Sequence, residues 1–223
     1  MSPTNFKIKQ VFSIKIDKPK LPRQLTQGNF QMIFMEEDPY LSNLEIDGSI
    51  FDEEEIDRVH LSGMVIKNSS FQGTSFRNID LTDVEFINCD FSNVDMTGAS
   101  IHRVTFHECK LLGAQLPESR FGNVAFENCL MTMCNFSDSK FEKVIFQESN
   151  MKRSDFFNCK LSKVIYDVCD LDDVSFDGTK LNGIDLSTSY FESILVSMED
   201  LKGCIVSEKQ ALSFAALLGL DIR

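Results

Sequence analysis

The 223-residue sequence has no tryptophan, three tyrosines and three histidines. His60, His102 and His107 are scattered, so no histidine joins the cysteines in a metal-ligand set. His107-Glu108 could pair as a base, but no nucleophile accompanies it. No glycine-rich phosphate loop occurs. The chain is therefore expected to be no enzyme and to need no metal or cofactor. No window of 18 residues is wholly apolar, which argues against a membrane helix. Met1 to Gln10 lacks the apolar core of a secretory leader, so a cytoplasmic protein without a membrane partner is expected. Basic residues are also scarce. Lys plus Arg total 22 against 34 Asp plus Glu, a net charge of -12. Phosphate would repel such a chain as a whole, so no direct nucleic-acid contact is expected.

Phenylalanine is abundant, with 20 residues, and it is placed by rule. From Leu41 to Val206 every fifth residue is apolar, over 34 consecutive positions that hold 14 of the phenylalanines. A period of five fits neither a helix nor a strand. The chain must turn once per repeat to bring the same position inward. Two residues before each of these positions the side chain is mostly small, as at Val84, Cys89, Val94, Ala99, Val104 and Cys109. All seven cysteines (Cys89, Cys109, Cys129, Cys134, Cys159, Cys169 and Cys204) take this second inward position, where they read as buried reduced thiols. Like residues recur every twenty: Val84, Val104, Val124, Val144 and Val164, and again Phe86, Phe106, Phe126, Phe146 and Tyr166. Four repeats therefore make one coil, and about eight coils at roughly 4.8 Å make a rod of about 40 Å. Glu54 falls on an inward position, so clean coils are expected from about Val59.

Cys89-Asp90-Phe91-Ser92-Asn93 and Cys134-Asn135-Phe136-Ser137-Asp138 resemble the A(D/N)LXX motif of pentapeptide-repeat proteins. The resemblance covers about three quarters of the chain. It implies an all-β fold, a right-handed quadrilateral β-helix, here followed by a C-terminal α-helix.

The ends depart from the repeat. Residues 1–40 are expected to form a strand-containing cap on the first coil or a partner-binding arm. Phe6, Ile8, Phe12, Ile14 and Ile16 alternate as in a strand, and Phe30, Met32 and Phe34 suggest a second one. Residues 41–206 form the solenoid and 207–223 a terminal helix and short strand. Ser207-Glu208-Lys209-Gln210 reads as a capping box. The apolar tail of Leu212, Phe214, Ala215, Leu217, Leu218, Leu220 and Ile222 is expected to pair two copies of the chain, or else to cap the last coil of a monomer. Gln210-Ala211-Leu212 and Leu217-Leu218-Gly219-Leu220 resemble the tail of the Qnr/MfpA branch of the repeat proteins. That resemblance implies a homodimer that mimics DNA and binds DNA gyrase or topoisomerase IV, with a link to fluoroquinolone resistance. The unbroken register, free of inserted loops, places the chain nearer the loop-less Gram-positive and mycobacterial type.

The twenty-residue period also sorts charge. The side centred on Phe86, Phe106, Phe126 and Phe146 carries Glu45, Asp47, Glu85, Glu108, Glu127, Glu148, Asp167 and Asp185 against Lys67, a net -7. The Phe91 side, with Asp90, Asp170, Asp172 and Asp173, nets -4, and the Met96 side, with Asp95, nets -5. The Leu81 side nets +4. Glu85, Glu108, Glu127, Glu148, Asp167, Asp185, Asp90, Asp95, Asp170, Asp172 and Asp173 are thus the candidate gyrase-binding acids. Two other readings stand beside this one. The acids could keep a stacking rod soluble, or the rod could be a scaffold for an unrelated protein partner.

Overall fold

The computed structural model describes residues 14–215. It is a parallel β-solenoid of about eight turns that ends in a short helix. After β1 (Thr26–Gly28), β2 (Tyr40–Ser42) and β3 (Leu44–Asp47) come six strands of equal length. These are β4 (His60–Lys67), β5 (Asp80–Ile87), β6 (Ser100–His107), β7 (Arg120–Glu127), β8 (Lys140–Gln147) and β9 (Lys160–Asp167). Short strands β10 (Val174–Ser175) and β11 (Ile194–Leu195) follow, then helix α1 (Glu208–Ala215). Each long strand pairs in parallel with the next at an offset of twenty residues, as in Phe86↔Phe106 and Phe106↔Phe126. Each bends once, at its fourth residue, and so covers two sides of the rod. The other two sides are joined by single bridges such as Asp90↔Lys110 and Asp95↔Gln115.

The period-five residues fill the interior, stacked ring on ring. Phe126 lies 4.8 Å from Phe106 and 5.1 Å from Phe146, with ring planes nearly parallel. The second inward position is small because it nestles at the corner, where its polar atom can reach backbone. Ser139 donates to the Leu116 carbonyl at 3.0 Å and accepts from the Ser119 amide at 2.8 Å. Cys134 donates in the same way to the Leu111 carbonyl at 2.9 Å. A thiol and a hydroxyl thus do one job, which is why the two residues interchange along the chain. Tyr166 closes the aromatic column with a fully buried hydroxyl that has no hydrogen-bond partner among the described residues.

The corners explain the rest of the motif. The second residue after each central one has a positive φ in every repeat from Asn43 to Gly183, and it is Asn, Asp or Gly at most of them. These residues tolerate the left-handed region. Val168 is the exception in kind, a β-branched residue at φ 54° and 59% exposed. Replacing it should relieve strain and break no core contact. Val168→Asn is expected to raise stability by about 1 kcal/mol in urea denaturation; an unchanged or lower midpoint would contradict the strain.

Parallel pairing begins at Thr26, with Thr26↔Leu44, and the twenty-residue offset begins at Tyr40, with Tyr40↔His60 and Leu41↔Leu61, ahead of the Val59 boundary expected from Glu54. Glu54 is exposed there, since the first rung has no coil beneath it. Phe30 plugs that open end, its ring 4.7 Å from Phe51 and 4.9 Å from Phe71. The strand expected over Phe30–Phe34 is instead a 3-10 turn, Phe30–Met35. Asn29 caps it by accepting from the Gln31 amide, which starts the turn and drives Phe30 and Ile33 inward. Of the longer strand expected near the N-terminus, Phe6, Ile8 and Phe12 lie outside the described residues. Ile14 and Ile16 belong to an irregular arm over residues 14–25. The arm runs along a corner of the rod. The Lys20 amide donates to Asp83 Oδ1 at 2.8 Å and the Asp17 amide to Asn123 Oδ1 at 3.0 Å. Three residues thus span two coils, roughly 9.6 Å at the strand spacing, which is extended chain. Pro19 fixes part of that conformation.

At the other end α1 carries its capping box. The Gln210 amide donates to Ser207 Oγ at 3.3 Å, and the Ser207 amide donates to Gln210 Oε1 at 2.8 Å. Gln210 Nε2 also donates to the carbonyls of Leu186 and Ser189. One buried side chain therefore starts the helix and pins it to the last coil.

Candidate protein-docking surface

The register decides which acids meet. On the Phe86 side one outward column runs His107, Glu127, Gln147, Asp167 through β6 to β9. At the adjoining corner Glu108 and Glu148 occupy the positive-φ position, at 54° and 49°. Glu108, Glu127, Glu148 and Asp167 therefore form one cluster near the middle of the rod. His107 sits inside it, 3.5 Å from Glu108 and 3.4 Å from Glu127.

Glu85 and Asp185 do not join this cluster. Between them in their column stand Thr105, Ala125, Ile145 and Ile165. Glu45, near the first coil, is neutralised by Lys67 at 2.6 Å, which holds its carboxyl below the usual range by hydrogen bond and charge.

Asp90, Asp95, Asp170 and Asp185 have another task. Each accepts through one oxygen from an amide two residues on: Ser92 at 3.0 Å, Thr97 at 2.9 Å, Asp172 at 3.3 Å and Ser187 at 2.8 Å. These are Asx turns, and they give the motif's Asp or Asn its physical reason. Asn135 and Asn150 do the same without charge. Lys110 and Lys152 further offset Asp90 and Asp170, at 3.5 Å and 3.2 Å. Asp172 accepts from the amides of Glu192 and Ser193, which lower its pKa, and Asp173 accepts from Ser193 Oγ at 2.6 Å. The eleven candidate acids thus divide by duty: four are clustered and available, and most of the others hold the fold.

In the tail, Leu212 is 58% exposed, whereas Phe214 turns to its own last coil, 5.7 Å from Phe191. Ala215 ends the described helix. Leu217, Leu218, Leu220 and Ile222 lie outside the described residues. Two features escaped sequence reading. Leu112, Leu130 and Met133 expose apolar side chains on the Phe91 side. The basic arm lies against coils far from it in sequence. Among the described residues no group of three or more His, Cys, Asp or Glu could hold a metal. None of the described helices is long and apolar enough to cross a membrane.

Residues 79–156 match the family model described as a pentapeptide repeat region. The solenoid has the pentapeptide-repeat fold. Solved structures with this fold resemble the chain at low identity. A trypsin-treated variant of QnrB1, a plasmid-mediated fluoroquinolone resistance protein, is 18% identical, with TM-score 0.49, over 90% of this chain and 99% of that one. HetL, involved in heterocyst differentiation regulation in the cyanobacterium Nostoc, is 16% identical with TM-score 0.38, over 76% and 90%. A thylakoid-lumen protein of Arabidopsis thaliana is 21% identical with TM-score 0.39, over 40% and 63%. A search of curated proteins gives no sequence match. These likenesses concern the fold, and proteins of different roles share it.

Proposed function

We propose that the protein is a DNA mimic that binds DNA gyrase or topoisomerase IV as a homodimer, inhibiting the enzyme or shielding it from fluoroquinolones. The observation that carries this reading is the cluster of Glu108, Glu127, Glu148 and Asp167 on an uninterrupted rod. Their coils follow one another at about 4.8 Å, comparable to the roughly 3.4 Å of helix axis per phosphate of one DNA strand. A cationic DNA-binding groove would draw in such a surface and speed encounter. The tail resemblance selects the partner; the fold by itself selects none. The test is a gyrase supercoiling assay with increasing protein, with and without ciprofloxacin. The triple reversal of Glu108, Glu127 and Glu148 to Lys is expected to lose at least ten-fold in inhibitory potency, about 1.4 kcal/mol or more. Reversal at Asp90 is expected to cost stability first, because it breaks an Asx turn. Equal potency of the triple variant and the parent would sink the reading.

A second reading has one observation in its favour. Leu112, Leu130 and Met133 form an exposed apolar group on the Phe91 side. An ordinary interaction scaffold with an unrelated protein partner would use it, and the supercoiling assay would then show no effect.

A further inference from the structure

The Leu81 side carries a feature that the acidic reading leaves unused. Arg120, Lys140 and Lys160 face one another across β7, β8 and β9. Lys180 takes the same position one coil on. All four are exposed, and among the described residues none lies within ion-pair distance of a carboxylate. Like charges directly opposite on neighbouring strands destabilise a sheet, so this ladder works against the fold. Lys143 and Lys163 stand at the adjoining corner, also unpaired.

The arm adds to the same side. Its backbone bonds to Asp83 and Asn123 lay it along that corner. Asp83 is engaged further by Arg103, at 2.6 Å to each oxygen, which holds its carboxyl below the usual range. Asn123, at the same corner, is only 9% exposed. Lys15, Lys18, Lys20 and Arg23 of the arm are all exposed. Two rows of cations thus run parallel to the rod axis, one on the ladder and one along the corner. Glu142 stands exposed between them.

We propose that this side binds the phosphate backbone of nucleic acid, without regard to sequence. The rows are linear, so they fit a linear polyanion better than a membrane surface. An extended acidic peptide presents side chains on one face only every 6.6 Å or so. A duplex offers one charge per roughly 1.7 Å of helix axis with both strands counted, a denser line of anions than such a peptide, which long ammonium side chains can reach without a fixed register. The exposed rings of this column, Tyr40 and His60, stack on each other at 4.9 Å and stand three coils or more before Arg120, so backbone contact is the mode at the ladder. The opposite surface, the Phe91 side, nets -4 and lies across the interior at about 10 Å, near one Debye length at 0.1 M salt, while the more acidic Phe86 and Met96 sides flank the ladder and face away from it. The expectation that the chain avoids nucleic acid followed from its total charge; this proposal follows from where the charge sits.

The test is fluorescence anisotropy of the full chain with a labelled 20-base-pair duplex. About four phosphate contacts predict affinity falling on the order of 100-fold between 50 mM and 200 mM salt. Lys140→Gln/Lys160→Gln/Lys180→Gln, which relieves repulsion and so should fold, is expected to weaken binding at least ten-fold at 50 mM salt and to flatten the salt slope. The charge-reversed triple should abolish binding. Polyglutamate and vesicles of anionic lipid serve as the other arms. No duplex binding at 50 mM salt, equal binding by the Gln variant, or preference for polyglutamate or vesicles would each overturn the proposal. Gyrase inhibition by the Gln variant is read separately and does not depend on this outcome.

Discussion

Phe126→Ala is expected to lower stability by about 3–5 kcal/mol and to change the shape of the unfolding curve. Phe126 is fully buried in the middle of the rod. Its ring stacks on Phe106 below and Phe146 above, and Phe121 lies 6.4 Å away on the next side. Both stacking partners sit on strands held in register by backbone bonds, so collapse around the void is limited. The cost should therefore fall in the upper part of the usual range, where it is a large share of the 5–15 kcal/mol typical of a domain. A solenoid coil touches only its neighbours, so a weak central coil uncouples the two ends. Guanidinium denaturation followed by far-UV circular dichroism should show a lower midpoint and a shallower or two-step transition. Phe126→Leu, which restores most of the volume, should recover a single transition. A change below 1 kcal/mol with one sharp transition would show that the column is not continuous.

Much of this core was legible because a solenoid repeats its environment every five residues. A buried residue such as Phe126 declares itself through Phe106 and Phe146, twenty residues away on either side. The helix start was legible for a different reason: Ser207 and Gln210 meet within one turn, so their spacing carries the geometry. What stayed hidden depends on partners that sequence does not index. The arm is held by its own backbone amides, at Asp17 and Lys20, and a backbone amide looks the same in any residue. The 3-10 turn at Phe30 depends on an open solenoid end, and alternation of Phe30, Met32 and Phe34 cannot tell such a plug from a strand.

The candidate docking surface was legible only in outline. Counting charges by side treats Asp90 and Glu127 alike. The structure separates them, because the short Asp side chain reaches the amide of Ser92, whereas Glu127 projects from β7 beside His107. Column membership mattered too. Glu85 and Asp185 share a side with Glu127, but Ala125, Ile145 and Ile165 fill the rungs between them.

Alkaline pH is expected to unfold the protein well before neutral-pH stability would suggest, and replacing three buried cysteines should lessen the loss. Burial pushes the thiols of Cys129 and Cys159 up to about 12 and that of Cys169 up to about 11. Burial likewise raises Cys134 and the Tyr166 phenol well above their ordinary values. In the unfolded chain a cysteine ionises near 8.5. A raised folded-state pKa favours the protonated form, so the native state binds more protons than the unfolded state above that value. Stability is then fully present below about pH 8.5 and is lost as pH rises toward the folded-state values. The loss approaches about 1.4 kcal/mol per pH unit for each thiol, and several act together. Denaturation midpoints from pH 7 to 10.5 should fall steeply from about pH 9. Cys129→Ser/Cys159→Ser/Cys169→Ser keeps the inward hydrogen bond, because Ser139, Ser149 and Ser154 already make it at equivalent positions. This variant should match the parent near pH 7 to within about 1–2 kcal/mol and outlast it at pH 10. Parallel alkaline curves for the two proteins would place the titrating groups elsewhere and remove these three thiols as the cause.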